Sequence, residues 1–320
     1  MRDVVVIGVG LSGLAACYQL EKSSLRYTLI EVKRRVGGGI QSFAERGFVM
    51  DAGAFALHSL ADESWLAELG LNEQIHPLAE DAFVFRKGTE SLVRALANPL
   101  RGGRLMRMAV SSIGRWRGRY TICLENGLVY DAGALILAVP ARYAARILRN
   151  LAPEAAERLE AFRYDSIWRV SVGGHVDALP PSFNRKLDAT MPFLLSTDAP
   201  GRVPDNHHRL LQAGIRAAPD QAPESLIRET VDRLSLRFPP IVARADHWPE
   251  ADLRSRYDAA HGDAIGAIMA QLPAGLSLIG SDYCLRAATV KGVARPDERI
   301  SMGRAAALAA EDFLKTRRQR

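Results

Sequence analysis

Short apolar runs alternate with glycine-rich turns at the start of the chain. Val4 to Ile7 is an unbroken apolar run, as expected for a parallel strand that is buried on both faces of a sheet. The stretch from about Leu11 to Lys22 predicts a helix, and Tyr27 to Val32 predicts a second strand. This order of strand, helix and strand favours an α/β fold with a parallel sheet.

Further periodic segments follow along the chain. Arg119 to Leu124 and Leu128 to Asp131 flank Asn126-Gly127, a dipeptide that favours a hairpin turn. Asp131 to Pro140 predicts another strand that is buried on both faces. We also predict strands at Leu105–Val110 and Leu210–Ile215, and helices at Ser64–Leu71, Glu90–Ala97, Pro153–Phe162, Glu224–Phe238 and Ser301–Leu314.

The turn after the first strand carries a dinucleotide-binding pattern. Gly8, Gly10 and Gly13 form G-x-G-x-x-G, in which the first two glycines allow a pyrophosphate to approach the backbone and the third lets the helix pack on the strand. The N-terminus of that helix directs its dipole at the phosphates. Glu31, 18 residues after Gly13, ends the second strand and is placed to accept hydrogen bonds from a ribose.

A second glycine cluster favours a flavin over a nicotinamide. Gly37, Gly38 and Gly39 follow Arg34 and Arg35, and Asp51-Ala52-Gly53-Ala54 comes next. Here the chain resembles the flavin amine oxidase superfamily, whose members carry R-x-G-G-R after the acid and then a D-x-G-A-like turn. This sequence departs from that pattern at Gly39, where the family has an arginine facing the pyrophosphate. We expect Arg34 or Arg35 to replace that contact.

The resemblance implies noncovalent FAD, because Cys284 does not match the pattern used for covalent flavin attachment. It extends to Val110, to the strand containing Ala138, to the Gly280–Asp282 turn, and to Lys291-Gly292-Val293-Ala294, where relatives have a segment that donates to flavin O2. The cofactor-binding residues that it implies are Gly8, Gly10, Leu11, Ser12, Gly13, Glu31, Val32, Arg34, Arg35, Gly37, Gly38, Gly39, Ile40, Gly53, Ala54, Val110, Ala138, Gly280, Asp282, Gly292 and Val293.

The resemblance also implies two domains. We expect a discontinuous Rossmann-type FAD-binding domain at residues 1–57, 88–163 and 274–320, and a smaller mixed-sheet substrate domain at residues 58–87 and 164–273. Protoporphyrinogen oxidases carry a helical, membrane-binding insertion where this chain has only Asn72 to Asp81, so that insertion is absent here. Arg295 to Ile300 is interpreted as a small insertion before the last helix.

Composition and charge restrict the alternatives. The chain of 320 residues is 48% hydrophobic and 24% charged, which is typical of globular proteins. No apolar run approaches a membrane-spanning length, and three scattered cysteines show no metal-ligand spacing. Because Met1-Arg2-Asp3 leads directly into the first predicted strand, we expect no signal or transit peptide. We therefore expect a cytoplasmic protein with no metal, no nucleic-acid partner and no integral membrane association.

Much of the net charge of +6 comes from two clusters of basic residues. Such clusters are often solvated basic faces, but they can also meet an anionic membrane, nucleic acid or an acidic substrate. They lie at Arg101, Arg104, Arg107, Arg115, Arg117 and Arg119, and at Lys315, Arg317, Arg318 and Arg320.

The family implies an FAD-dependent oxidoreductase that oxidises a C–N or C–C bond of a small molecule, with oxygen or another acceptor closing the cycle. Tyr257, His261 and Lys291 are candidate catalytic residues, and Trp168 and Trp248 are candidate substrate-binding residues. Core packing is the ordinary role of such aromatics, and Lys291 also fits a surface lysine. Two alternatives stay open: a flavin-binding scaffold without oxidase turnover, and a flavin-dependent isomerase or mutase.

Overall fold

The computed structural model of the chain describes residues 2–53, 56–58, 64–79, 82–178, 187–285 and 293–319, with only the backbone at 79, 256, 257, 293 and 294. The strands are β1 Arg2–Ile7, β2 Tyr27–Glu31, β3 Ser42–Glu45, β4 Phe48–Asp51, β5 Ala56–His58, β6 Ile75–Ala79, β7 Ala82–Phe85, β8 Gly103–Met106, β9 Val110–Trp116, β10 Arg119–Leu124, β11 Val129–Leu137, β12 Tyr164–Asp165, β13 Ile167–His175, β14 Phe193–Ser196, β15 His208–Arg216, β16 Val242–His247, β17 Asp252–Leu253, β18 Leu276–Leu278 and β19 Val293–Ala294. The helices are α1 Leu11–Leu20, α2 Ser64–Glu68, α3 Glu90–Ala97, α4 Ala141–Leu148, α5 Pro153–Glu160, α6 Pro223–Leu234, α7 His261–Ala270 and α8 Pro296–Arg318.

The main sheet has seven strands in the order β8-β2-β1-β11-β10-β9, with β18 paired to β11. β1 runs parallel to both β2 and β11, while β9 and β10 form an antiparallel extension. Val4 and Val6 pack with α1 and α8 on one face, and Val5 and Ile7 pack with α4, α5 and α7 on the other. The sheet is therefore the centre of a three-layer α/β unit, as the apolar run of β1 predicts.

A second sheet lies outside this unit. Its four strands are ordered β14-β15-β13-β16, all antiparallel, and α6 packs its apolar residues onto one face. The hairpin of β3 and β4 reaches this sheet through Phe48 and Met50, which pack with Leu210 and Val242. A smaller four-stranded sheet, β19-β5-β7-β6, completes the fold. The mixed α/β architecture with a Rossmann-type sheet and a second sheet is thus as predicted, while the domain boundaries stay a prediction.

Three sequence predictions are wrong in detail. Leu105–Val110 is not one strand, because Arg107 adopts a left-handed backbone (φ 57°) that separates β8 from β9. The two strands predicted around Asp131 are one continuous strand, β11. The last helix begins earlier than the predicted Ser301: Pro296 starts α8, with Asp297 and Glu298 in its first turn, a typical helix start. That Arg295 to Ile300 is a small insertion relative to the family stays a prediction.

None of the helices in the described part of the chain is long and apolar enough to cross a lipid bilayer. Between α2 and α3, the described residues form the short antiparallel pair of β6 and β7. Protoporphyrinogen oxidases, as stated above, carry a helical insertion at this point of the chain. Here the described residues form a pair of strands instead.

Candidate cofactor and active site

A cavity of about 710 Å³ lies where β1, β2 and β11 end at their carboxyl edge. Ligands of open α/β sheets bind at this edge, and the volume is in the range of a small-molecule site. One wall consists of the glycine-rich turns after β1 and β2, together with Val110, Ala138 and the Gly280–Asp282 turn. The opposite wall is the segment from His247 to Asp252, which belongs to the second sheet and its continuation.

The three glycines of the first turn have different geometric roles. Gly8 has φ +88°, and a Cβ on it would lie 2.4 Å from the carbonyl oxygen of Ala138. A Cβ on Gly13 would lie 2.1 Å from the carbonyl oxygen of Gly8, so this glycine permits α1 to pack against β1. A Cβ on Gly10 would meet no atom within 4 Å, and Gly10 lines the cavity. At Gly8 and Gly13 the space of the missing side chain is filled by protein atoms. At Gly10 that space belongs to the cavity and is available to a ligand.

The acid at the end of β2 is held towards the same turn. Glu31 is buried, and its carboxylate accepts hydrogen bonds from the backbone N–H groups of Val9 (2.9 Å) and Lys33 (2.8 Å). The Lys33 ammonium also lines the cavity and lies 3.4 Å from the ring centroid of Trp248. Burial lowers the pKa of Lys33, and the nearby charge of Arg35 lowers it further.

The second glycine cluster is organised by Arg35. Its guanidinium donates to the carbonyl oxygens of Val36 (3.2 Å), Gly38 (2.9 Å) and Ile40 (2.9 Å). Arg34 is exposed, and neither arginine is among the residues that line the cavity. The structure thus does not place Arg34 or Arg35 where the predicted phosphate contact would be; Arg35 shapes the turn, and Lys33 is the basic residue beside Glu31 that reaches the cavity.

Trp248 explains why position 39 is a glycine. A Cβ on Gly39 would lie 3.1 Å from Cδ2 of the Trp248 indole, so any side chain there would require the indole to move. Trp248 lines the cavity, as predicted for a substrate-binding residue. Its indole packs on the glycine cluster, and the Lys33 ammonium lies over the ring. The indole therefore lies between the glycine cluster and Lys33 in the cavity wall.

Asp282 joins three segments at the cavity edge. Its carboxylate accepts hydrogen bonds from the backbone N–H of Ala141 (2.8 Å), at the start of α4, and from the hydroxyl of Tyr164 (2.5 Å). Burial and the adjacent Asp282 charge raise the pKa of Tyr164, so its hydroxyl stays protonated and donates. Tyr164 lies at the entry to the second sheet, and this contact therefore ties both parts of the fold to Asp282.

A buried ion pair supports the turn after β4. Arg202 and Asp51 are 0% exposed as side chains, and Nη1 of Arg202 donates to Oδ2 of Asp51 at 2.8 Å. The guanidinium also donates to the carbonyl oxygens of Thr197 and Phe85 and to the side chain of Gln212. Asp51 directly precedes Ala52 and Gly53 in the cavity wall. The pair therefore fixes the turn that borders the cavity.

The wall opposite the glycine turns is rich in paired charges. Arg169 forms a bidentate ion pair with Asp252, and Glu250 accepts a hydrogen bond from the hydroxyl of Tyr143 at 3.0 Å. His247 stacks on Trp168 with 4.9 Å between ring centroids. Burial lowers the pKa of His247, and the charge of Arg169 lowers it further. At neutral pH this wall therefore presents a neutral imidazole among fixed ion pairs.

Of the predicted catalytic residues, His261 is the one whose side chain the structure describes, and it lies away from the cavity. His261 is 3% exposed at the start of α7, with its Nδ1 3.3 Å from Ser255 Oγ, and it does not line the cavity. Trp168 packs in the core of the second sheet and donates to the carbonyl oxygen of Ala218, so it contacts the cavity only through His247. Lys291, Gly292 and Ala54 lie outside the described residues, and for Tyr257 and Val293 only the backbone is described.

The other predicted cofactor residues are brought together. Those that line the cavity are Gly8, Gly10, Leu11, Ser12, Glu31, Val32, Gly37, Gly38, Gly39, Ile40, Gly53, Val110, Ala138, Gly280 and Asp282. Sequence reasoning missed Lys33, Arg202 and His247. Lys33 stands two residues after Glu31 at the end of a strand, a signal that could have found it; Arg202 and His247 carry no local pattern.

Two further observations test whether the residues fit a dinucleotide. The Ser12 hydroxyl is buried in the first turn of α1, has no hydrogen-bond partner among the described residues, and belongs to a residue that lines the cavity. Gly38 approaches Gly10 so closely that a Cβ on it would lie 3.2 Å from the Gly10 Cα. A glycine cradle, a donor at a helix N-terminus and a ribose-binding acid fit a pyrophosphate and its ribose. Among the described residues, no group of three His, Cys, Asp or Glu side chains could hold a metal ion.

The fold and the cavity define a two-domain protein with a Rossmann-type dinucleotide-binding unit. The chain belongs to the flavin containing amine oxidoreductase family, whose model matches residues 67–264, more than half of its length. A model of an NAD(P)-binding Rossmann-like domain matches residues 6–69. The family resemblance stated from the sequence is therefore confirmed.

Individual relatives cover parts of the chain. Protoporphyrinogen oxidase 2 of Arabidopsis thaliana is 32% identical over 128 residues, which are 39% of this chain and 24% of that protein. Polyamine oxidase 5 of Oryza sativa subsp. japonica is 41% identical over 67 residues, 21% of this chain and 14% of its own length. The chain thus aligns with less than a quarter of these relatives.

Solved structures share the fold over almost the whole chain. A crystal structure from Exiguobacterium sp. 255-15, provisionally assigned as a protoporphyrinogen oxidase, superposes with a TM-score of 0.68 and covers 98% of this chain and 99% of its own. Its sequence identity is 16%, so this likeness shows the fold.

Proposed function

We propose that the chain is an FAD-dependent oxidoreductase that oxidises a C–N or C–C bond of a small organic substrate. The observation that carries this proposal is a cavity that is lined both by the glycine turns around Gly10 and by the His247–Asp252 segment of the second sheet and its continuation. Bound FAD, held without a covalent bond, would supply N5 as the acceptor of a hydride. Oxygen or another acceptor would then reoxidise the cofactor.

The residues of the first wall bind and orient the cofactor. Gly8 to Gly13 and the N-terminus of α1 would take the pyrophosphate, and Glu31 would accept hydrogen bonds from the ribose. Lys33, held over Trp248, would place a positive charge beside these anionic groups. Asp282, fixed by Ala141 and Tyr164, would orient the part of the cofactor nearest α4.

The opposite wall would receive the substrate and the proton that it loses. Removing a hydride from a C–H bond leaves a proton on the neighbouring nitrogen or carbon, and that proton must pass to water or to a side chain. His247 is the group we assign to this role, because it lines the cavity and its lowered pKa favours the neutral, accepting form. Tyr257, for which only the backbone is described, stays a predicted polar contact to substrate.

The test of the proposal is anaerobic reduction of the purified yellow protein. Relatives are named for polyamine and protoporphyrinogen oxidation, so we expect spermidine or protoporphyrinogen to bleach the flavin absorbance and air to restore it. A scaffold would retain FAD and remain unbleached by every candidate. An isomerase would convert substrate only when the flavin is already reduced, with no net oxidation. Either of these results would overturn the oxidoreductase assignment.

Replacing Trp248 by alanine is expected to weaken FAD binding about thirtyfold, since removing an aromatic anchor from a binding site costs about 2 kcal/mol. The indole packs on Gly39 and holds Lys33. Titration of the apoprotein with FAD by fluorescence quenching measures the effect. Trp168→Phe is the control, because Trp168 lies in the core behind His247. Equal FAD affinities for Trp248→Ala and the parent would contradict this placement.

Replacing His247 by glutamine is expected to reduce the loss of stability on acidification. Because the pKa of His247 lies below its usual 6.5 in the folded protein, the unfolded chain takes up this proton first as the pH falls. The contribution of His247 to the free energy of unfolding is therefore fully present above pH 6.5, and it decreases as the pH falls below that value. Urea unfolding at about pH 7.5 and about pH 5.5 measures the difference. The exposed His207→Gln variant should keep the slope of the parent; an unchanged slope in His247→Gln would count against the assignment.

A further inference from the structure

Two basic segments that are remote in sequence meet at one end of the main sheet. The turn from β9 to β10 passes through Arg117 and Gly118, both with positive φ, and Nη1 of Arg317 in α8 donates to the carbonyl oxygen of Gly118 at 2.5 Å. This contact places the basic last turn of α8 beside the hairpin. Arg117 and Arg119 therefore lie near the last turn of α8, which carries Lys315, Arg317 and Arg318. Together with Arg115 and Trp116 of the same hairpin, these residues form the cluster that we call the basic tip.

Trp116 is the most exposed large aromatic of the basic tip and stands at its outer end. Its side chain is 69% exposed, and its neighbours Arg115, Arg117 and Gly118 are exposed as well. The guanidinium of Arg117 lies 5.8 Å from the Trp116 ring centroid, while that of Arg115 lies over Tyr120. The tip thus exposes an amphipathic ring beside the guanidinium of Arg117, and a second exposed cation, Arg115, lies on the Tyr120 side of the hairpin.

Most of these charges are not neutralised within the protein. Among the described residues, no carboxylate lies within 4.0 Å of the guanidinium groups of Arg115, Arg117, Arg119 or Arg317, whereas Lys315 pairs with Glu311 and Arg318 with Asp3. Arg119 instead donates to the backbone carbonyl of Arg2. The basic tip therefore keeps several positive charges available to a partner, and its complement is an anionic surface.

The basic tip lies at the edge of the sheet opposite the cavity. Ala132 of β11 pairs with both Arg2 of β1 and Tyr120 of β10, so the hairpin turn is level with the amino end of β1. The cavity begins at the other end of the same strand, at Ile7 and Gly8. A partner bound at the tip would therefore leave the cofactor site accessible, and substitutions at the tip can be made without touching it.

We propose that the basic tip docks the protein peripherally on an anionic lipid surface, with Trp116 in the headgroup layer and the arginines on the lipid phosphates. Trp is favoured at the interface of a bilayer because one part of the ring is apolar and the other donates a hydrogen bond. Basic residues add affinity for anionic lipids, and stable peripheral attachment takes two such signals together. One exposed tryptophan among arginines suits a membrane surface, whereas a single nucleic-acid strand is typically held in a groove lined by several aromatics.

The test uses the full-length holoprotein and sedimentation with sucrose-loaded vesicles. One set is phosphatidylcholine alone, and the other contains about 30% phosphatidylserine. We expect binding to the anionic set only, lost on raising NaCl from about 50 mM to about 500 mM because salt screens the attraction. Arg115→Gln/Arg117→Gln should weaken binding about 25-fold, about fivefold per charge. Trp116→Ala should weaken it about tenfold.

Matched controls lie on α6 and the segment after it. Arg228 and Arg237 are exposed, and Phe238 is 59% exposed. Arg228→Gln/Arg237→Gln removes the same charge, and Phe238→Ala removes an exposed aromatic; both should bind vesicles like the parent. The FAD content of every variant should equal that of the parent, which separates this test from that of the oxidoreductase assignment.

Three outcomes would overturn the proposal. The first is no binding to the anionic vesicles, or equal binding to both sets. The second is an equal loss in the control variants, which would show that net charge rather than the basic tip decides. The third is binding of a fluorescein-labelled oligonucleotide that is tighter than lipid binding and is lost in Arg115→Gln/Arg117→Gln, which would identify nucleic acid as the partner of this surface.

Discussion

Gly10→Val is expected to give a folded but colourless protein whose affinity for FAD is lower by about a hundredfold, since forcing side-chain atoms into a closely packed contact costs about 3 kcal/mol. The reason is specific to this position. A Cβ on Gly10 meets no protein atom within 4 Å, so valine fits the apoprotein, but it projects into the cavity where the pyrophosphate would approach. Absorbance of the purified protein near 450 nm and fluorescence titration with FAD measure the loss.

Gly114→Val provides the matched control for this experiment. Gly114 lies in β9, a Cβ on it also meets no atom within 4 Å, and it does not line the cavity. Both variants should unfold at the temperature of the parent apoprotein, while only Gly10→Val loses FAD. Gly8→Val, by contrast, should fail to fold, because its Cβ would lie 2.4 Å from a backbone oxygen. Yellow, fully loaded Gly10→Val protein would refute the cofactor assignment.

Arg202→Met is expected to lower the free energy of unfolding by about 3–5 kcal/mol, because it leaves the buried carboxylate of Asp51 without its positive partner. Both side chains are 0% exposed, so water cannot replace the lost contact. The carbonyl oxygens of Thr197 and Phe85 also lose their donors. Urea unfolding of the apoprotein measures the change without a contribution from bound cofactor.

The control for this substitution is Arg233→Met. Arg233 forms an ion pair of similar length with Asp188, 2.6 Å, but the two side chains are 28% and 49% exposed. Exposed pairs contribute about 1 kcal/mol or less, so this variant should be nearly as stable as the parent. An equally small effect of both substitutions would show that the Arg202–Asp51 pair does not hold the turn.

The buried pair also links stability to the cofactor site. Asp51 lies between the β3–β4 hairpin and the turn at Ala52 and Gly53, and the Gln212 side chain of β15 donates to its backbone carbonyl. The second sheet therefore makes a direct hydrogen bond to the residue that precedes the turn at Ala52 and Gly53. We expect Arg202→Met to weaken FAD binding in addition to lowering stability, because the turn loses its anchor while the glycine residues themselves are unchanged.

Position 39 shows how packing between distant residues decides which side chain fits at a site. The family resemblance places an arginine at this position, but the Trp248 indole occupies the space that its side chain would need. Lys33 then lies over the indole and brings a positive charge to the cavity from β2. The glycine and the tryptophan are 209 residues apart in the sequence, so neither position alone predicts this substitution.

Local spacing accounts for what the sequence alone determined. The apolar run of β1, the glycines that follow it and the acid at the end of β2 all lie within one strand–helix–strand unit, where neighbours in space are neighbours in sequence. The α/β class, the Rossmann-type unit and most of the residues that line the cavity around the glycine turns could therefore be predicted. The ends of strands were predicted less well where the backbone conformation of one residue sets them. Arg107, with φ 57°, separates β8 from β9 in this way.

Tertiary structure alone decided which distant residues complete the cavity and support its wall. His247 and Trp248 come from the second sheet, and Arg202 pairs with Asp51 across 151 residues of sequence. Contacts of this kind leave no periodic pattern, because they depend on how two sheets pack rather than on local backbone preference. The prediction that His261 lines the cavity failed for the same reason. His261 starts α7, packs next to Phe162 and is buried away from the cavity.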